Sequence, residues 1–305
     1  EVTPFAALAA AFLSDGLLVY VPAGRVVQGP IWLTCRTGPD GGRPMRFPRL
    51  LIVLERGTEA QIVESYEGAP GGESLTNAVA EVVLGDGAQL EYCRVQRQDG
   101  AGYHIATIQA HQGRDSRLLF TTVALGSGLT RNDINAVLDG TGASLVLNGL
   151  SIMGSRQHVD VHSTIDHAQP HCESHEYFNG VFDGEARGVF NGRIIVRPGA
   201  QRTDSKQTNN NLLLSTDARA DSQPQLEIYA DDVKCTHGST VGPLDEMALF
   251  YLRSRGIGPD AARGLLTYGF GAEILDRVRI PAARAQLDDL IRHRLGVGRM
   301  PRSVG

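Results

Sequence analysis

The sequence predicts a mainly β protein, a parallel β-helix followed by a small α-helical domain. Three observations carry this: a repeat, a run of strand-favouring residues after each copy, and an abrupt change of character near residue 243. Four six-residue segments share Gly, two variable residues, Ala or Ser, a polar residue and an aliphatic. They are GTEAQI from Gly57, GDGAQL from Gly85, GRDSRL from Gly113 and GTGASL from Gly140, with starts 28, 28 and 27 residues apart. A period of this kind, with a turn glycine and a small inward residue, is the signature of a solenoid. Each repeat holds too few strands to bury its own apolar face, so successive repeats must stack. A β-sandwich with evenly spaced hairpins is the alternative, and regular spacing over four units argues against it.

The strands follow in order. Leu90 to Val95, Leu118 to Leu125 and Leu145 to Met153 are rich in residues that favour β structure. Ala88 and Ala143 fall where a tight corner needs a small side chain. After about residue 155 the glycine pattern fades, but strand character returns in Gly188 to Val196, Leu212 to Ser215 and Leu226 to Tyr229. Residues 1–242 are therefore read as the β-helix core and 243–305 as a C-terminal helical domain.

In that domain, Pro243 suits a first helical turn, Asp245 and Glu246 its positive end, Arg253 and Arg255 its negative end, and Gly256 its stop. Leu244, Met247, Ala248, Tyr251 and Leu252 share one helical face. Pro259 and Pro281 open two further helices, one with Leu265, Leu266 and Phe270, the other with Leu287, Leu290, Ile291 and Leu295. Such a tail is expected either to cap the open end of the β stack or to serve as a docking surface.

Composition narrows the function. The chain is 42% hydrophobic and 21% charged, and its net charge of −5 comes from interspersed acids and bases, which points neither to nucleic acid nor to an anionic membrane. No stretch approaches the roughly 18 apolar residues of a membrane span, and no signal peptide is evident at the N-terminus. A cytoplasmic location is expected. Cys35, Cys93, Cys172 and Cys235 form no C-x-x-C pair, which fits a reducing compartment without disulfides. There is no G-x-S-x-G, no Walker A loop and no G-x-G-x-x-G opening a helix, so any ATP is bound by another chain.

Three groups of residues could carry chemistry. HVDVHSTIDHAQPHCESH, from His158 to His175, holds five histidines with Cys172, Asp160 and Asp166. On strands, His158 would share a face with His162, and His167 with His171 and His175, but turns expected near Ser163 and Pro170 interrupt both sets, favouring structural histidines over a metal site. The pairs Asp231 with Asp232 and Asp183 with Glu185 would suit a carbohydrate-cleaving β-helix, yet they read more simply as solvated turn residues.

Cys235 and His237 are two residues apart after an expected strand, so both point the same way, with Cα atoms about 6.6 Å apart. A thiolate and an imidazole there could share one soft metal centre. Two donors are too few for an iron–sulfur unit, so any cluster needs ligands from another chain.

From Gly188 onward, GVFNGRIIVRPGAQRTDSKQTNNNLLLS and then PQLEIYADDVKCTHGSTVGPLDEMALFYLRSRGI resemble the core signature of the SufB/SufD family. LIVLERGTEAQIVESY from Leu51 and HVDVHSTIDHAQPHCES from His158 extend the resemblance over most of residues 1–280. It implies a right-handed parallel β-helix with a C-terminal helical domain, and no enzymatic chemistry of its own. It also implies a complex with a sister scaffold, SufB, and an ABC-type ATPase, SufC, docked on residues 243–295. The family's N-terminal helical region is expected to be absent here.

The asparagines at 209–211, where SufB typically has a cysteine, and Cys235-Thr236-His237, where SufB typically has Glu-His-Glu, depart from the SufB pattern and resemble the other branch of the family. By that correspondence His237, with Cys235 beside it, is expected to hold a transient iron–sulfur cluster shared with the partner. A homodimer is the expected arrangement when the sister is missing.

Overall fold

The computed structural model describes residues 3–297 apart from 39–41, 69–72 and 99. Among these, the strands stack into two all-parallel sheets of nine and eight strands, and the chain alternates between them coil by coil. The expected parallel β-helix with a helical tail is what is observed. A short helix the sequence reading did not anticipate, α1 (Pro4–Ala11), precedes the first strand. Pro4 opens it and the Thr3 side chain accepts from the Ala6 N–H, which satisfies one of the unpaired donors of the first turn.

Register explains the interior. Side chains alternate in and out along each strand, and parallel pairing places like positions on one face. In the second sheet, Ile62, Tyr92, Phe120 and Leu147 form one inward column. All four are buried, and burial of each such side chain contributes about 1.5–3 kcal/mol. His158–His167 shows the alternation plainly: Val159, Val161, Ser163, Ile165 and His167 are buried while the residues between them are half-exposed.

The corners before seven of the eight strands of the second sheet are held by one recurring device. Gly24, Gly57, Gly87, Asp115, Gly142, His171 and Arg202 all have positive φ. Each donates its N–H to the carbonyl just ahead of the next such corner, from Gly24 to Arg56 and finally from Arg202 to Asp232. At the six corners after the first, the residue after the left-handed position turns inward and is small: Thr58, Ala88, Ser116, Ala143, Cys172 and Thr203 are at most 1% exposed.

The expected corner role of Ala88 and Ala143 therefore holds, with one adjustment to the repeat. Glu59 pairs with Gln89, so Gly57 stands level with Gly87 rather than Gly85, and Thr58 rather than Ala60 is the small corner residue. The equal spacing of the first two segments is a coincidence of composition.

The tail forms α2 (Glu246–Ser254), α3 (Pro259–Leu275) and α4 (Pro281–Arg294). It does not cap the end of the stack. Ile274, Leu275, Val278, Ile280, Ala283, Leu287 and Ile291 pack on the outward face of the second sheet, against Val63, Cys93, Val95, Val123, Leu150, Ile152, Val181 and Leu212. That outward face is apolar, so it needs a cover along its length more than the open end does. Glu91 fixes the approach, accepting from the N–H groups of Arg279 (2.6 Å) and Ile280 (3.2 Å) at the start of α4.

α2 departs from its expected face. None of its residues is buried, and Met247, Phe250 and Tyr251 are 73%, 66% and 57% exposed. Only Leu244, Ala248, Leu249 and Leu252 are half-buried around it.

Candidate functional site

Cys235 and His237 lie on the strand Lys234–Gly242, the edge of the second sheet. This strand pairs on one side only, with Asp204–Leu213, and so leaves a row of backbone donors and acceptors open at the end of the solenoid. Cys235 is level with buried Ser205, and His237 with buried Gln207. Both side chains therefore sit on the inward face, as their spacing predicts, and that face opens to solvent because no further coil follows. Cys235 is half-buried against the core, and His237 is exposed.

Burial first, and the Asp204 carboxylate second, push the Cys235 thiol above its ordinary value. The thiol is thus protonated at neutral pH and becomes a ligand only when a metal or a cation displaces its proton. Two soft donors at an exposed edge fit the first half of a metal or cluster site. Among the described residues no three His, Cys, Asp or Glu side chains gather into a metal-holding group.

The coil beneath is stiffened by the asparagines. Asn209 Nδ2 donates to the Phe178 carbonyl (3.3 Å), Asn211 Nδ2 to Asn209 Oδ1 (2.7 Å), and the Thr240 hydroxyl to Asn210 Oδ1 (2.8 Å).

The histidine-rich segment is dispersed. His158 and His162 do share the outward face of the first sheet, where Asp160 Oδ1 lies 2.9 Å from His162 Nε2. His167 turns inward onto the Ser174 hydroxyl (2.8 Å), His171 occupies a corner with φ 62°, and His175 stands on the outward face of the second sheet. No turn occurs at Ser163, which is mid-strand. Cys172 is a corner residue whose Sγ–H donates to the Gly140 carbonyl (3.3 Å). Asp183, Glu185, Asp231 and Asp232 are exposed turn residues.

Sequence reasoning missed a buried polar column below the site. His167, Ser174 and Ser205 form a hydrogen-bonded series reaching the level of Cys235. Glu176 and Gln207 stand in the column that ends at His237. Burial raises the Glu176 carboxyl to about 7, with Gln207 and Ser163 beside it pulling it back. The available signal was alternation: in ESHEYF, Glu176 takes an inward position between Ser174 and Phe178.

Fold and site together define a parallel β-solenoid with two soft donors on the open edge strand at its end. Residues 36–270 match the SUF system FeS cluster assembly, SufBD core domain, and the chain belongs to that family. It is 36% identical over 291 residues to an iron–sulfur cluster assembly SufBD family protein of Synechocystis, covering 93% of this chain and 64% of that protein. It is 32% identical over 245 residues to the iron–sulfur cluster assembly protein SufD of Escherichia coli, covering 80% and 58%. A SufBD family protein of Mycobacterium leprae is 34% identical over 299 residues, covering 95% and 75%. The chain thus spans about three fifths of the length of the first two relatives.

Proposed function

We propose that this chain is a non-catalytic, cytoplasmic scaffold subunit of a SUF iron–sulfur cluster assembly complex, pairing with SufB through its terminal coils and docking the SufC ATPase through residues 243–295. The nascent cluster is cargo, held between chains by His237 with Cys235 and by ligands from the partner. The observation that carries this reading is the incomplete donor pair on an open edge strand: the same edge that offers the two ligands offers the backbone groups to which a second solenoid can add. A neutral imidazole is a weaker iron ligand than a thiolate, which suits a site that must release its product. Exposed Met247, Phe250 and Tyr251 on α2 support the docking of a partner on the tail. An exposed edge also suits a homodimer when SufB is missing.

The test is co-purification with SufB and SufC of the same host, followed by native mass determination. A three-component complex is expected, and in it His237→Ala should abolish cluster formation while leaving the complex intact. If cluster formation is unchanged, the ligand role is wrong.

A further inference from the structure

The column that ends at His237 changes chemistry abruptly. Ile62, Tyr92, Phe120 and Leu147 are succeeded by Glu176, Gln207 and His237 at the same inward position. Glu176 is 0% exposed and Gln207 is 1% exposed. No cationic side chain is among the groups acting on Glu176, so packing alone would favour another leucine there.

The amide of Gln207 is clamped from two sides. Its Nε2 donates to Glu176 Oε2. Gly192 of the first sheet leaves it room, since a Cβ there would lie 2.3 Å from that Nε2. The donor end of the amide is thereby committed to Glu176, while Oε1 is buried without a partner. One strand further on, about 4.8 Å away, stands His237.

We propose that Gln207, anchored by Glu176, is a positioning residue for His237: its Oε1 accepts one imidazole N–H and so fixes the tautomer whose other nitrogen offers its lone pair to the metal. A buried acceptor on the far ring nitrogen is the usual means of orienting a ligating histidine. This rests on the reading of His237 as a ligand, and it adds that the groups orienting that ligand, Gln207 and Glu176, lie inside the solenoid. Glu176 selects which end of the amide faces outward, because its Oε2 accepts from the Nε2 end.

Proton-detected 15N spectra of the full chain, with 15N-labelled histidine and His237→Ala for assignment, read the tautomer directly. Wild type should show neutral His237 as a single tautomer. Gln207→Leu should return it to the mixture of a free histidine peptide, and Glu176→Gln, which can still accept, should preserve the single form. Buried His104 and His167 report whether the fold is intact. Should Gln207→Leu disturb them, Gly192→Ala displaces the amide without removing it and gives the same reading. A mixed tautomer in wild type, or a single one that survives both Gln207→Leu and Gly192→Ala, overturns the proposal. The measurement needs no cluster, so an assembly complex indifferent to His237→Ala would refute the ligand role while the tautomer stands or falls independently.

Discussion

Two buried polar groups interrupt the apolar interior, one in the early coils and one in the last, and they are built on opposite principles. In the early coils Glu64 and Arg94 are 6% and 1% exposed, with Arg94 Nε 3.4 Å from Glu64 Oε2. Tyr66 and Tyr92 both donate to the Glu64 carboxylate, and Arg94 also lies over the Tyr66 ring at 5.1 Å. His104, held well below its usual range by burial and by Arg94, remains neutral and bonds Gln98 through Nδ1 (2.8 Å). Charge there is matched by charge. In the last coils the Glu176 carboxyl has no cation, and the acceptors Glu176 Oε1 and Gln207 Oε1 are left without partners. The first group sets an ion pair inside the solenoid, although Arg94 Nε and Nη1 lack a hydrogen-bond partner. The second is open toward the edge strand, where a ligand and a second chain can complete it.

The contrast is most sharply broken at Arg94. Arg94→Leu strands the Glu64 charge in the interior and should cost about 3–5 kcal/mol, read from urea unfolding midpoints. Adding Glu64→Gln should recover most of that loss, because the coupling lies between the two charges. A single-variant loss below about 1 kcal/mol would mean that the tyrosines alone sustain the carboxylate.

Glu176 should behave in the reverse sense. Its folded value of about 7 lies above the ordinary 4.5, so between these limits the folded chain keeps a proton that the unfolded chain has released. Stability therefore falls as pH rises through that window, by roughly 3 kcal/mol in all. Burial lowers His167 to about 4, which works the other way, since stability is then lost as pH falls from 6.5. The difference between wild type and Glu176→Gln isolates the carboxyl: the variant should gain on wild type steadily from pH 4.5 to 7. Parallel curves for the two proteins would show that Glu176 is solvated.

How far the fold could be read from sequence follows from the corners. Where glycine takes the left-handed position, at Gly57, Gly87 and Gly142, the repeat is visible, and it stays visible at Asp115 because Gly113 stands two residues ahead. It fades after about residue 155 because His171 and Arg202 take the next two such positions, with φ of 62° and 58°. The strand Asp204–Leu213 was read only from Leu212 on, since Asp204 to Asn211 is polar and its inward side chains pair with one another rather than with an apolar core. Cys235 and His237 were legible because an i, i+2 spacing fixes a shared face wherever the strand lies. Gln207 was not, because its neighbour His237 is one coil away, and only register brings them together.

The corners also supply the smallest effects, and a test of why the pattern fades. Gly142 has φ 76°, and a Cβ there would lie 2.4 Å from Asp115 Oδ1, so Gly142→Ala should cost about 1–2 kcal/mol. His171 adopts φ 62° with a full side chain and so carries a similar conformational penalty already. Its N–H still donates to the Gln201 carbonyl (2.9 Å), so the corner bond survives substitution. His171→Gly relieves the strain but loosens the unfolded chain, and the two terms nearly cancel, leaving a gain below about 1 kcal/mol. Thermal midpoints of the two variants check the pair. A clear loss in His171→Gly would show that the histidine side chain itself holds this corner, and that the sequence departs from glycine there for a reason other than tolerance.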